Sequence, residues 1–223
     1  MRRTPPVNIA LLPTKPLALG KSRLTPLLST TDRAAIGHAM FTDVLTALCA
    51  AESLDAVIVI TADETLASEA EAAGAAPIRE TAPTGLNAAV IRGTDAAVAR
   101  GATTVVVVLS DIPWITGPDI DALCLEAPAK GALAVPSKEG TFTNVLLRRP
   151  PTLFRPAFGR HSLRRHVAAA EAQGMPCRIF PSERIGFDVD TPDDLRTFAA
   201  VESPTTTYRE TVRLGLARFR PVA

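Results

Sequence analysis

"TTVVVVLSD", residues 103–111, decides how this chain folds. Four valines and a leucine follow one another with no polar alternation. A strand exposed on one face alternates; an unbroken β-branched run belongs to a strand buried on both faces, in the middle of a parallel sheet. The polar residues that end the run, Ser110 and Asp111, therefore fall at the sheet's carboxyl edge. Working outward, "VNIALLP" (7–13) and "AVIVIT" (56–61) read as further buried strands. Residues 30–52 between them are helical, with Ile36, Met40, Phe41, Val44, Leu45 and Leu48 on one face. Helices are also expected over 63–74 and 85–101, each closed by glycine, and over 116–127, with Pro118 in its first turn. "GALAVPS" (131–137) and "TFTNVLLRR" (141–149) are two strands with no room for a helix between them, which predicts an antiparallel pairing. A helix over 162–174, a strand over 176–180 and a helix over 191–201 complete the pattern. This rhythm predicts an α/β fold: one domain over 1–201, with a mostly parallel mixed sheet flanked by helices. Residues 202–223 turn polar, then basic, and fit either a mobile tail or a docking helix.

Composition narrows the function. The 223 residues carry a net charge of +1, so nothing marks a nucleic acid or other polyanion as the main partner. The three cysteines are far apart and form no CxxC or Cys/His cluster, which argues against a zinc site or a disulfide framework. The apolar run near the start is short and broken by proline, a poor signal peptide. No stretch approaches the roughly 20 apolar residues of a membrane span. A soluble cytoplasmic protein is expected.

Ligands of open α/β sheets bind beyond the carboxyl ends of the strands. The first strand leads into "PTKPLALGKSRLTP" (13–26), a long loop with three cations, Lys15, Lys21 and Arg23. They could clamp phosphates, or the loop could simply be solvated. It is neither a Walker loop nor a GxGxxG fingerprint. The second place is "FDVDTPDDL" (187–195). Thr191 and Asp194 around Pro192 form a helix-capping pattern, and Asp193 favours the positive end of the helix dipole. Asp188 and Asp190 have no such explanation. On an extended strand their spacing puts both carboxylates on one face. Asp111 alone could cap a turn, but with these two it gives three carboxylates able to converge on one point. Oxygen-only ligation selects magnesium or manganese. Magnesium beside a cationic loop suggests a nucleoside triphosphate. Among the histidines, His38 reads as structural, and of His161 and His166 only His161 has a plausible contact position. Trp114 reads as a core residue.

With "PTKPLALGKSRLTP", "GLNAA", "LSDIPWIT", "TNVLL", "FGRHS" and "FDVDTPDDL" in this order, the chain from about 7 to 200 resembles the 2-phospholactate/phosphoenolpyruvate guanylyltransferases of coenzyme F420 biosynthesis. "DIPWIT" stands where Asp-Leu-Pro is more usual, and nothing in the resemblance explains the segment after Val201. The resemblance implies a nucleotidyltransferase fold related to the GT-A glycosyltransferases. It implies that GTP and a phosphorylated three-carbon acid give a guanosine diphosphate adduct and pyrophosphate. In that role Asp111, Asp188 and Asp190 would hold one or two magnesium ions, and Lys15, Lys21 and Arg23 would contact the triphosphate. Gly85 and Asn87 would lie near the nucleotide. The acid, with phosphoenolpyruvate favoured, would meet Thr143, Asn144, Gly159 and Ser162, the last opening a helix whose free amides suit an anion. A homodimer is left open. The alternatives are a molybdopterin or sugar-phosphate nucleotidyltransferase, against which the missing Gly-x-Gly-x-Arg loop weighs, and a nucleotide-binding module without catalysis.

Overall fold

The computed structural model describes residues 6–218. Seven strands form one sheet in the order β3-β2-β1-β4-β6-β5-β7. They are β1 (Asn8–Pro13), β2 (Ala56–Thr61), β3 (Ala76–Arg79), β4 (Thr104–Val108), β5 (Gly131–Pro136), β6 (Thr143–Arg149) and β7 (Cys177–Ile179). Strand β6 runs antiparallel to both of its neighbours, β4 and β5, and the other pairings are parallel. The valine run behaves as its composition demands: Val105 and Val107 enter one core, Val106 and Val108 the opposite one, and all four have no exposed surface. Helices α1 (Thr30–Ala50), α2 (Glu64–Ala72) and α4 (Gly117–Glu126) cover the face of Val106 and Val108, and α3 (Leu86–Ala99) and α5 (Ser162–Glu171) that of Val105 and Val107.

Two elements escape the hydrophobic pattern. Strand β3 has four residues, one of them Pro77, which cannot donate to a ladder; it survives because it is an edge strand bonded only to β2. The other is a single helical turn, α6 (Glu183–Gly186), just before the aspartate-rich segment.

A third core cluster joins distant parts of the chain. Leu24 from the loop after β1, Ile36 and Met40 of α1, Val189, and Leu195 and Phe198 of α7 (Pro192–Ala199) pack together. Trp114 stacks here against Phe198, 5.0 Å between ring centroids, and lies 4.5 Å from Phe187. Of the two readings open for the segment after Val201, the structure shows the helix. Residues Thr206–Arg213 form α8, capped by Thr205. Asp43 of α1 accepts hydrogen bonds from the Thr206 and Thr207 amides and the Thr207 hydroxyl. A boundary after residue 201 therefore falls inside the packed body. The last five residues lie outside the described part.

Candidate active site

The carboxyl ends of β1 and β4 lie side by side, and the loops leaving them meet the segment after α6. Asp111 stands three residues beyond the end of β4. Asp188 and Asp190 are not on a strand, as their spacing suggested, but on an irregular stretch between α6 and α7. Extended backbone there is held by Val189, whose side chain is fully buried and whose amide donates to the Asp111 carbonyl, 2.9 Å. That one bond brings the aspartates of residues 111 and 188–190 together across 78 residues of sequence. The capping pattern is realised as expected: the Thr191 amide donates to Asp194 and the Asp194 amide to the Thr191 hydroxyl.

Lys21 links these groups. Its ammonium donates to Asp111 Oδ2 at 3.2 Å, to Asp190 Oδ1 at 3.1 Å and to the Val189 carbonyl at 2.7 Å, which uses all three of its donors. The backbone of Lys21 is left-handed, φ 51° and ψ 37°, a conformation that costs a non-glycine residue energy and is kept where surroundings enforce it. Burial pulls the Lys21 pKa down most strongly, yet the charges and hydrogen bonds of Asp111 and Asp190 outweigh it and raise the pKa above the ordinary lysine value. Asp188 is the opposite case. Burial, then the charge of Asp111, pushes its carboxyl up to about 6, although Asn144 donates to it. Asp111 Oδ1 is buried with no hydrogen-bond partner. Among the described residues, no three His, Cys, Asp or Glu side chains stand close enough to hold a metal ion as they are.

Two clefts meet over this cluster and share Leu86, Leu109, Asp111 and Asp190. The first, about 280 Å³, is lined by Lys15, Lys21, Glu80, Pro83 and Gly85. The second, about 240 Å³, is lined by Arg23, Thr143, Asn144, Gly159, Ser162 and Asp188. Lys15 and Lys21 thus share the first cleft, whereas Arg23, expected with them, lines the second and lies 3.5 Å from Asp190. Gly85 lines the first cleft at φ 92°, a backbone that suits glycine. Asn87 does not line it. Its amide donates to the Phe158 carbonyl at 3.1 Å and accepts from the Phe158 amide at 2.8 Å. Both ends are spent clamping the loop that carries Gly159, so the structure gives Asn87 a place behind the second cleft. Asn144 is likewise committed, to the Ile185 and Gly186 carbonyls and to Asp188, and sits beneath the carboxylate.

Ser162 is not the cap of α5; that position belongs to left-handed His161. The Ser162 hydroxyl instead accepts from the Thr143 amide, 2.9 Å, tying helix to strand at the cleft. Among the α5 amides, that of Leu163 is drawn to the Thr141 carbonyl at 3.4 Å. Of the two histidines here, the sequence favours the wrong one. His161 lines a separate surface cavity with Arg164. His166, fully buried, reaches the site from behind, with Nδ1 3.0 Å from the Thr143 hydroxyl. Its Nε2 accepts the Ala157 amide, so the ring proton lies on Nδ1 and is donated to Thr143. The only sequence signal for this was spacing, His166 four residues after Ser162 and hence on the same helix face.

A mixed sheet with Asp111 beyond a strand end, Asp188 and Asp190 brought against it, and two clefts meeting over them is a frame that suits a nucleotidyltransferase. The chain belongs to the CofC-like guanylyl transferases: residues 8–217 match that family. It is 39% identical over 192 residues to the phosphoenolpyruvate guanylyltransferase of Sphaerobacter thermophilus, spanning 86% of this chain and 92% of that one. It is 38% identical over 178 residues to the 3-phospho-D-glycerate guanylyltransferase of Phenylobacterium zucineum, spanning 78% and 81%. In fold it is similar to a crystal structure described as a nucleotide-diphospho-sugar transferase from Desulfovibrio desulfuricans G20, with TM-score 0.77 at 17% identity over 95% of this chain and 96% of that one. No helix among the described residues is long and apolar enough to cross a membrane.

Proposed function

We propose that the enzyme transfers GMP from GTP to phosphoenolpyruvate, releasing pyrophosphate, as a step of coenzyme F420 biosynthesis. The observation that carries this reading is the pair of clefts that share Asp111 and Asp190. One takes the triphosphate against Lys15 and Lys21; the other takes the acid against Thr143, Gly159 and Ser162, with Arg23 on its wall. A phosphate oxygen of the acid attacks the α-phosphorus of GTP, and the bond from that phosphorus to the β-phosphate bridging oxygen breaks. The nucleophile is already an anion, so no general base is required. Catalysis is alignment plus neutralisation of charge. Lys21 must exchange one of its three internal bonds to reach a phosphate.

The residues also fit magnesium. Asp111 has a buried oxygen without a partner, Asp188 is held at a raised pKa beside it, and the donors are all oxygen. Asp111, Asp188 and Asp190 would hold it, and when bound it would neutralise phosphate charge. Phosphoenolpyruvate, 2-phospho-L-lactate and 3-phosphoglycerate share the phosphate and carboxylate this cleft would read. The test is pyrophosphate release from GTP and magnesium with each acid in turn. Phosphoenolpyruvate should give the highest kcat/KM; a better rate with either other acid overturns the choice of acceptor. Release with none of them overturns the reaction.

A further inference from the structure

We propose that Glu80 selects the base of the nucleotide: its carboxylate accepts hydrogen bonds from the N1–H and 2-amino donors of guanine. The inference rests on the reading of the first cleft as the GTP site.

Position is the first argument. Parallel strands end on one edge of the sheet, so the residues just beyond β3, β2, β1 and β4 form a row. Asp111 follows β4 at one end of the row, and Glu80 follows β3 at the other. Three strand spacings separate them, about 14 Å. Both line the same cleft. With phosphates held at Asp111, Lys15 and Lys21, the far end of a nucleotide laid along that row is its base. Apolar side chains line this cleft too, Ile60 and Pro83 among them.

The state of the carboxylate is the second argument. The Glu80 side chain is only 5% exposed. Its Oε1 accepts from Arg92 Nη1 at 2.6 Å and from the Thr84 hydroxyl at 2.8 Å. No protein donor among the described residues reaches Oε2. The Glu80 amide donates to the Thr61 carbonyl at 2.8 Å, continuing the β2–β3 ladder one residue past the strand and fixing the backbone. Arg92 and Thr84 orient the carboxylate through Oε1 and leave the other oxygen free. A pairing with Arg92 alone would be satisfied at the surface, since that arginine is 42% exposed; it does not account for a nearly covered carboxylate with an unused oxygen in a cleft.

Chemistry chooses the base. Guanine presents two adjacent donors on its Watson–Crick edge, and a charged oxygen with two lone-pair positions accepts both. Adenine and cytosine place a lone pair at the corresponding ring nitrogen, which a carboxylate repels. Hypoxanthine keeps N1–H but lacks the 2-amino group. The order of preference should therefore be GTP, then ITP, then ATP and CTP.

The experiment is equilibrium dialysis of labelled GTP, ITP and ATP against wild type and Glu80→Gln, in magnesium buffer without any acid. Wild type should prefer GTP over ITP by roughly tenfold or more, the effect of one hydrogen bond to a charged acceptor. Glu80→Gln should weaken GTP by roughly tenfold to a hundredfold and leave ATP unchanged or improved. The ratio of two nucleotides on one sample is independent of its folded fraction, so partial misfolding cannot imitate this result. If Glu80→Gln weakens all three nucleotides equally, or keeps the GTP preference, Glu80 is a structural partner of Arg92 and the inference is overturned. A wild type with no base preference overturns it as well. Because no acid is present, these outcomes are separate from the turnover assay: GTP-selective binding without pyrophosphate release would sink the proposed reaction and leave Glu80 standing.

Discussion

Asp188 and Asp190 differ in what holds them, and their variants should differ accordingly. Asp190 pairs with Lys21 and Arg23, whereas Asp188 is met by Asn144 and raised by burial. Alanine at either position should reduce kcat by a thousandfold or more. In metal-free buffer Asp188→Ala should hold or raise the melting temperature, because it removes a buried carboxylate that repels Asp111. Asp190→Ala should lower it by a few degrees. Near-normal turnover by either variant at saturating magnesium would refute the metal assignment. His166 gives a second residue-scale expectation. Burial, then Arg148 and Arg165, lowers its pKa to about 4 from the ordinary 6.5. Between those values the unfolded chain takes up a proton that the folded one refuses. Stability attributable to His166 is thus intact above 6.5, declines as pH falls to about 4, and levels off below, a loss of about 3 kcal/mol. Asp188 works oppositely in an overlapping window, since its folded carboxyl keeps a proton up to about 6. The measurement is therefore the difference in urea-unfolding free energy between wild type and His166→Gln across this range. A difference that does not change with pH would mean that His166 is not held neutral.

At the scale of elements, two attachments carry testable consequences. Helix α8 is fastened through Asp43, whose carboxylate receives two amides and a hydroxyl at the helix start. Asp43→Ala should cost about 1–3 kcal/mol, a cap together with a charged hydrogen bond. The kcat of the folded fraction should be unchanged, because α8 packs on α1 and α7 away from both clefts. A fall in kcat with unaltered stability would assign α8 to the site. The loop 157–161 is fastened through Asn87. Asn87→Ala should raise KM for the acid about tenfold and leave KM for GTP within a few-fold. The reverse pattern would restore Asn87 to the nucleotide, where its place in "GLNAA" had put it.

Taken as a whole, the molecule is two clefts hinged on one shared pair of carboxylates, so kinetic effects should sort by cleft. Lys21→Ala should depress kcat/KM for GTP by a hundredfold or more. Gly159→Val, which forces a β-branched residue to φ 105°, and Ser162→Ala, which frees the Thr143 amide, should raise KM for the acid alone. If Gly159→Val and Ser162→Ala instead lose GTP affinity, the two clefts have been assigned the wrong way round.

The sequence by itself determined the mostly parallel sheet between helices and the place of Asp111 beyond the carboxyl end of β4. An unbroken valine run has no face to offer water, and a charged residue after it has nowhere to sit but the edge; these are local facts about single segments. Capping at Thr191 and Asp194 is local too, as is the pairing of β5 with β6, where the chain is too short for a crossover. Only the tertiary structure decided which cleft Arg23 enters, what Asn87 and Asn144 bond, that His166 rather than His161 backs the site, and that the segment after Val201 docks. Each depends on partners roughly 20 to 170 residues away, chosen by side-chain geometry once the sheet has brought them together. Short edge elements were illegible for a related reason: β3 and α6 hold too few residues to show a period, and their bonds are supplied by neighbours already folded.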